Sequence, residues 1–170
     1  MQATNQLKYL TISAFFAAMI IISILIFRIP VGVGIVHVGD AMIYLAACFL
    51  PKRYALVAVA IGGVTANLLG GFAIWAPATA VIKPLIAMWF VSKGDILTKW
   101  HICALVIAGV VNAGLYYVYE SLFIANNWYA ALPGVTSNLL IQSGGSAAIF
   151  VILATSFDRI KLKNRLGMGS

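Results

Sequence analysis

Charge is what this sequence has least of. Only 9% of its 170 residues are charged, and four of those are acidic, while 63% are hydrophobic. A soluble chain of this length cannot hide so much apolar surface, because a folded protein needs a polar exterior. The chain therefore reads as one polytopic membrane domain. Cysteine is nearly absent. Cys48 and Cys103 each lie in an apolar run, which points to free buried thiols rather than a disulfide framework. No GxxxxGK[ST] motif occurs, which excludes ATP hydrolysis through a P-loop. No HExxH or Cys/His cluster suggests a metal, and no Ser/His/Asp set is evident. His37 and His101 fall in segments expected on opposite sides of the membrane. Neither a cofactor nor a metal of its own is expected, and no inverted repeat is visible of the kind that builds many secondary transporters.

The apolar runs are long and continuous rather than alternating, so spanning helices are expected instead of a β-barrel. Six segments can be drawn, at about 8–28, 38–50, 54–71, 76–92, 101–123 and 137–157. The second, VGDAMIYLAACFL, is barely long enough to cross. The first is too long for a signal-peptide core and reads as a retained span. The fold class expected is thus an all-α membrane protein with six transmembrane helices and both termini cytoplasmic.

The basic residues argue for that count. With six spans, Lys8, Lys52, Arg53, Lys93, Lys99, Arg159, Lys161, Lys163 and Arg165 all fall inside, whereas the outer connections 29–37, 71–76 and 124–136 hold no lysine or arginine. This is the positive-inside bias. It explains the net charge of +7 without a nucleic-acid partner. The outer connections RIPVGVGIVHVGD and ANNWYAALPGVTSN are themselves apolar, so they are expected to pack on the helices, where one of them would serve as a lid.

Polar residues inside the spans carry the functional reading. Lys83 sits near the middle of AIWAPATAVIKPLIAMWFV, where a charge costs about 2.5–3.5 kcal/mol on insertion scales. Asn112, Tyr116 and Glu120 are spaced i, i+4, i+8 and share a helical face, and Asn138, Gln142 and Ser146 repeat the spacing in the last segment. Together with Asn67, these depths describe a polar pocket in the outer half of the bundle. Trp75, Tyr116, Tyr117, Tyr119 and Trp128 are available as aromatic walls, as small-molecule sites require. His37 and Asp40, at the outer end of the second segment, read equally as ligand contacts or loop anchors. The competing reading makes the amides interhelical glue and Lys83 with Glu120 a structural ion pair. In the first span, Ser13/Ala17 and Ala14/Ala18 are small-xxx-small pairs suited to close helix approach, as are Gly62, Ala66 and Gly70 in the third.

The stretch VHVGDAMIYLAACFLPKRYALVAVAIGGVTANLLGG, followed by WAPATAVIKPLIA and NLLIQSGGSAA, resembles the S components of energy-coupling factor (ECF) vitamin transporters across nearly the whole chain. Within that family the HVGD-to-WAP…IK pattern looks most like members assigned to hydroxymethylpyrimidine or pyridoxine, with the riboflavin branch similar but less close. The resemblance implies a substrate-binding subunit rather than an enzyme. It implies a bacterial plasma membrane, a vitamin bound from outside, a transmembrane T component as partner, and two ATP-binding cassette ATPases that use the ATP and magnesium. It also implies that Ala14 and Ala18 pack on the T component. In the pocket, Lys83 would donate to ring heteroatoms, Glu120 and Asn138 would bind amino or hydroxyl groups, and Trp75 or Tyr116 would stack. Two other readings stay open: a small autonomous carrier or channel, and a scaffold without a ligand.

Overall fold

The computed structural model describes residues 2–31, 34–92 and 94–168. Lys93, counted above among the inner basic residues, lies outside the described residues, as do Gly32 and Val33 of the first outer connection and Gly169 and Ser170 of the C-terminal GMGS.

The molecule is built from helices packed along one axis. Helix α1 spans Gln2–Ile26, α2 Asp40–Phe49, α3 Lys52–Leu69, α4 Ala76–Ala87, α5 Lys99–Phe123, α6 Trp128–Ser137, α7 Gly144–Arg159 and α8 Leu162–Arg165. Tight 3₁₀ turns flank α4 at Ala73–Trp75 and Met88–Phe90. A π-helical segment, Asn138–Ser143, joins α6 to α7. Four stretches are long and apolar enough to cross a membrane: Asn5–Ile26, Ala73–Phe90, Lys99–Phe123 and Trp128–Arg159. Helix α2 has only 10 residues and rises about 15 Å, half of a roughly 30 Å hydrocarbon core.

Two outer connections differ from their expected form. Residues 28–31 and 34–37 pair as an antiparallel hairpin of strands β1 (Arg28–Val31) and β2 (Gly34–His37), in which Arg28 faces His37. The β-branched residues of RIPV and GIVH favour extended pairing, a signal masked in the sequence by the glycines between them. Residues 124–136 are mostly helix rather than loop. The Asn127 side chain accepts from the amides of Tyr129 (2.8 Å) and Ala130 (3.4 Å), which starts α6 at Trp128, ahead of the sixth segment expected from 137.

Contacts gather the basic residues at one end of the bundle. Lys8 donates to the Gly167 carbonyl at 3.0 Å, and Lys163 to the carbonyls of Ser92 (2.8 Å) and Gly94 (2.9 Å). Asp158 accepts from the amides of Ile96 (2.9 Å) and Leu97 (2.8 Å), clamping the turn between α4 and α5. Above this end lies an aromatic core in which Tyr44 stacks on Phe90, with ring centroids 4.1 Å apart, against Phe150 and His101. Cys48 is buried beside it and Cys103 is exposed, both as free thiols.

Small residues set the helix spacing. A Cβ on Gly62 would lie 3.1 Å from the Ala17 carbonyl of α1. One on Gly63 would lie 2.7 Å from the Thr79 methyl of α4. The neighbouring glycines thus bring α3 against two partners at once.

Candidate functional site

At the end opposite the basic residues the helices part around a narrow cleft with a free volume of about 20 Å³, lined by His37, Asn67, Phe72, Trp75, Thr79, Tyr116, Glu120, Asn138 and Gln142. Helix α3 supplies Asn67, and four other elements supply most of the remaining polar groups. The stripe on α5 points Asn112, Tyr116 and Glu120 inward, at 0%, 8% and 4% exposure. The π-helical segment turns Asn138, Gln142 and Ser143 to the interior together, because its wider turn admits an extra residue on one face. Helix α4 carries Thr79 and Lys83 one turn apart, and Pro84 removes the next amide donor from its helical ladder. The hairpin brings His37 over the mouth.

The hairpin is tied to the opposite rim through Arg28. Its Nη1 donates to the Gly70 carbonyl at 2.9 Å, and its guanidinium lies 5.8 Å from the Phe72 ring centre. Across the mouth, Trp75 Nε1 donates to Glu120 Oε1 at 3.2 Å. Tyr119 anchors the same turn by donating to the Ile74 carbonyl at 2.6 Å. Gly134 of α6 leaves room for the other Glu120 oxygen, since a Cβ there would stand 2.9 Å from Oε2.

Lys83 does not line the cleft. It lies beneath it, 1% exposed, and donates to Asp40 Oδ1 at 2.7 Å and to Asn112 Oδ1 at 2.9 Å. Its ammonium is also 5.2 Å from the Tyr116 ring centre. The ion pair foreseen as Lys83 with Glu120 is therefore Lys83 with Asp40. Asp40 is wholly buried at the first residue of α2, where the positive end of the helix dipole favours a carboxylate. Its Oδ2 accepts from Gln142 Nε2 at 2.9 Å. Asn112 Nδ2 reaches Asn138 Oδ1 at 3.5 Å, a long contact. A second relay runs from Asn67 Nδ2 to Thr79 Oγ1 and on to the Tyr116 hydroxyl, both at 2.6 Å. Burial lowers the His37 pKa to about 4, with Asp40 opposing and Lys83 adding to the shift. Near neutrality its imidazole is therefore uncharged.

The cleft thus brings together seven of the expected residues: His37, Asn67, Trp75, Tyr116, Glu120, Asn138 and Gln142. Asp40 and Lys83 form its floor. Phe72 and Thr79 were not foreseen. Thr79 was legible in principle, four residues before Lys83 on the same face, whereas Phe72 enters through an irregular turn that carries no periodicity. Ser13, Ala14, Ala17 and Ala18 lie elsewhere, lining an apolar groove of about 680 Å³ between α1 and α3, beside Leu10, Tyr54, Val57 and Ile61.

The chain matches the family model described as ECF-type riboflavin transporter, S component, over residues 4–159. No curated protein and no solved structure matches it.

Proposed function

This chain belongs to the family of ECF-type riboflavin transporter S components, and on that footing we propose that it is the vitamin-binding subunit of an ECF importer. Such a subunit is a transporter part and not an enzyme. It takes its ligand from outside a bacterial plasma membrane, crosses that membrane six times with both termini inside, and hands the vitamin on through a T component driven by two ATPases. The observation that carries the reading is the cleft itself. A membrane scaffold gains nothing from a buried ion pair, three amides and a carboxylate gathered under aromatic walls, since apolar packing serves structure as well. The polar groups of the cleft gather at one end, and the packed aromatic core of Tyr44, Phe90 and Phe150 above the basic end closes the way through, which also speaks against a continuous pore.

The ligand proposed first is riboflavin, on the strength of the family. The free volume of the cleft, about 20 Å³, is far below the roughly 300–1,000 Å³ usual for small-molecule sites, so any vitamin must widen it, and a one-ring vitamin, hydroxymethylpyrimidine or pyridoxine, asks for the least widening and is the second reading. In either case Trp75 and Tyr116 offer stacking faces, and Glu120, Asn138, Gln142, Asn67 and His37 offer polar contacts. Asp40 and Lys83 support them from below. The exposed small-residue groove of α1, with Ala14 and Ala18 at its surface and Ser13 and Ala17 half-buried, is the proposed seat of the T component.

The test is to purify the chain alone in detergent, denature it, and identify any released small molecule by mass spectrometry. A flavin supports the first reading and a pyrimidine or pyridoxine the second. No ligand, together with no binding across a panel of vitamins, would overturn both.

A further inference from the structure

We propose that Asp40, Lys83 and Asn112 are positioning residues that lock the polarity of the amides above them, and so decide which edge of a ligand the cleft reads. The proposal rests on the vitamin-binding reading and adds a specificity mechanism to it.

The lock follows from which groups can only give and which can only accept. An ionised carboxylate has no proton to donate, so Gln142 must turn its NH₂ to Asp40 Oδ2, as it does at 2.9 Å. An ammonium has no lone pair, so Asn112 must turn its oxygen to Lys83 Nζ, as it does at 2.9 Å. The NH₂ of Asn112 is then the group that faces Asn138, which answers with Oδ1. An amide held by one end presents the other. Gln142 Oε1 and Asn138 Nδ2 have no partner among the described residues, yet neither is among the fully buried unpartnered atoms, which are Ser121 Oγ, Ser143 Oγ and Ser146 Oγ. Both atoms therefore open onto the cleft that their residues line. His37 is fixed the same way. The Gly39 amide can only donate, so Nδ1 accepts it at 3.2 Å and the proton of the neutral ring sits on Nε2.

The cleft thus offers two donors, Asn138 Nδ2 and His37 Nε2, and three acceptors, Gln142 Oε1, the free Glu120 Oε2, and Asn67 Oδ1, whose NH₂ is given to Thr79. No lysine or arginine lines it. The complement is an uncharged planar heterocycle with an N–H beside ring acceptors, and a hydroxyl or amino donor for Glu120. An imide edge, N–H between two carbonyls, meets the first requirement in one rigid plane. An aminopyrimidine edge meets it with one acceptor.

Asn112→Asp is the decisive variant. It is nearly isosteric and keeps the bond from Lys83. It can no longer donate to Asn138, whose amide must then turn over and show its oxygen to the ligand. The experiment titrates the chain purified alone with riboflavin, with 3-methylriboflavin, and with flavins bearing an amino or imino donor in place of one ring carbonyl. Flavin fluorescence is the readout. The wild type is expected to bind 3-methylriboflavin at least tenfold more weakly than riboflavin. Asn112→Asp is expected to lose at least tenfold for riboflavin and to shift its preference toward a donor-bearing analogue. Asn112→Leu, which frees the Asn138 amide, is expected to lose that preference in both directions. A merely structural Asn112 would lower all affinities together, and that outcome, or equal binding of riboflavin and its 3-methyl form, overturns the lock while leaving the transport reading intact. If the chain binds hydroxymethylpyrimidine instead, the same comparison is made with its amino group replaced by hydrogen. A tenfold loss supports the lock and equal affinity overturns it. Binding of pyridoxine in preference to both also overturns it. If no vitamin binds, the proposed function fails and the lock with it.

Discussion

Breaking the pair of Lys83 and Asp40 from one side should destabilise the fold far more than removing both charges. The two side chains are 1% and 0% exposed, and the separation is 2.7 Å. In Lys83→Met the Asp40 carboxylate keeps one donor, Gln142 Nε2, and stays in a medium that cannot solvate it. Leaving one partner of a buried pair uncompensated typically costs about 3–5 kcal/mol. For a chain of this size each kcal/mol moves the melting midpoint by about 2–4 °C, so a fall of roughly 6–20 °C is expected. Asp40→Asn should cost less, because the amide still accepts from Lys83 and is itself neutral. The double variant, with neither charge, should recover most of the loss, giving a coupling of at least about 2 kcal/mol in a double-mutant cycle. The assay is thermal unfolding in detergent at neutral pH, followed by near-UV circular dichroism. Single-variant losses below about 1 kcal/mol that simply add in the double would refute the reasoning, because the pair would then be contributing nothing as a pair.

Further outcomes follow from the same geometry. Gly63→Ala places a Cβ 2.7 Å from the Thr79 methyl and should cost about 1–3 kcal/mol as overpacking, seen as a lower melting midpoint with weaker ligand binding, since Thr79 carries the relay to Tyr116. For His37 the folded pKa of about 4 lies below the ordinary imidazole value of 6.5. The unfolded chain therefore takes the proton first, and stability present above pH 6.5 is lost as pH falls toward 4, by up to about 1.4 kcal/mol per unit. Melting curves of wild type and His37→Asn across that window should converge as the pH drops. Replacing Ala14 and Ala18 with tryptophan should abolish assembly with a T component on size exclusion while leaving vitamin affinity within about twofold, because the groove and the cleft are lined by different residues.

The sequence made the helices legible because their apolar runs and the one-sided placement of lysine and arginine are long-range patterns. It made much of the cleft legible because a polar residue within a span has few reasons to be there, and the i, i+4 spacing of Asn112, Tyr116 and Glu120 survives in a regular helix. Pairing was not legible. Lys83 and Glu120 were matched by depth, yet Asp40 enters from the short helix α2, whose packing no local pattern reveals. The hairpin and the early start of α6 were missed for a related reason. Both rest on a few local groups, the extended residues of RIPV and GIVH and the cap of Asn127, which apolar composition concealed. The π-helical segment also left no mark on the periodicity, although it brings Gln142 and Ser143 inward together.

The central claim is that the chain alone binds a vitamin in this cleft, and Trp75 reports on it directly. In a form whose other tryptophans, Trp89, Trp100 and Trp128, are replaced by phenylalanine, the emission of Trp75 is followed while riboflavin, hydroxymethylpyrimidine and pyridoxine are each added without partner subunits. Saturable one-to-one quenching by one of them, lost in Asn138→Leu, is the result expected. Unchanged Trp75 emission throughout all three titrations would contradict the claim.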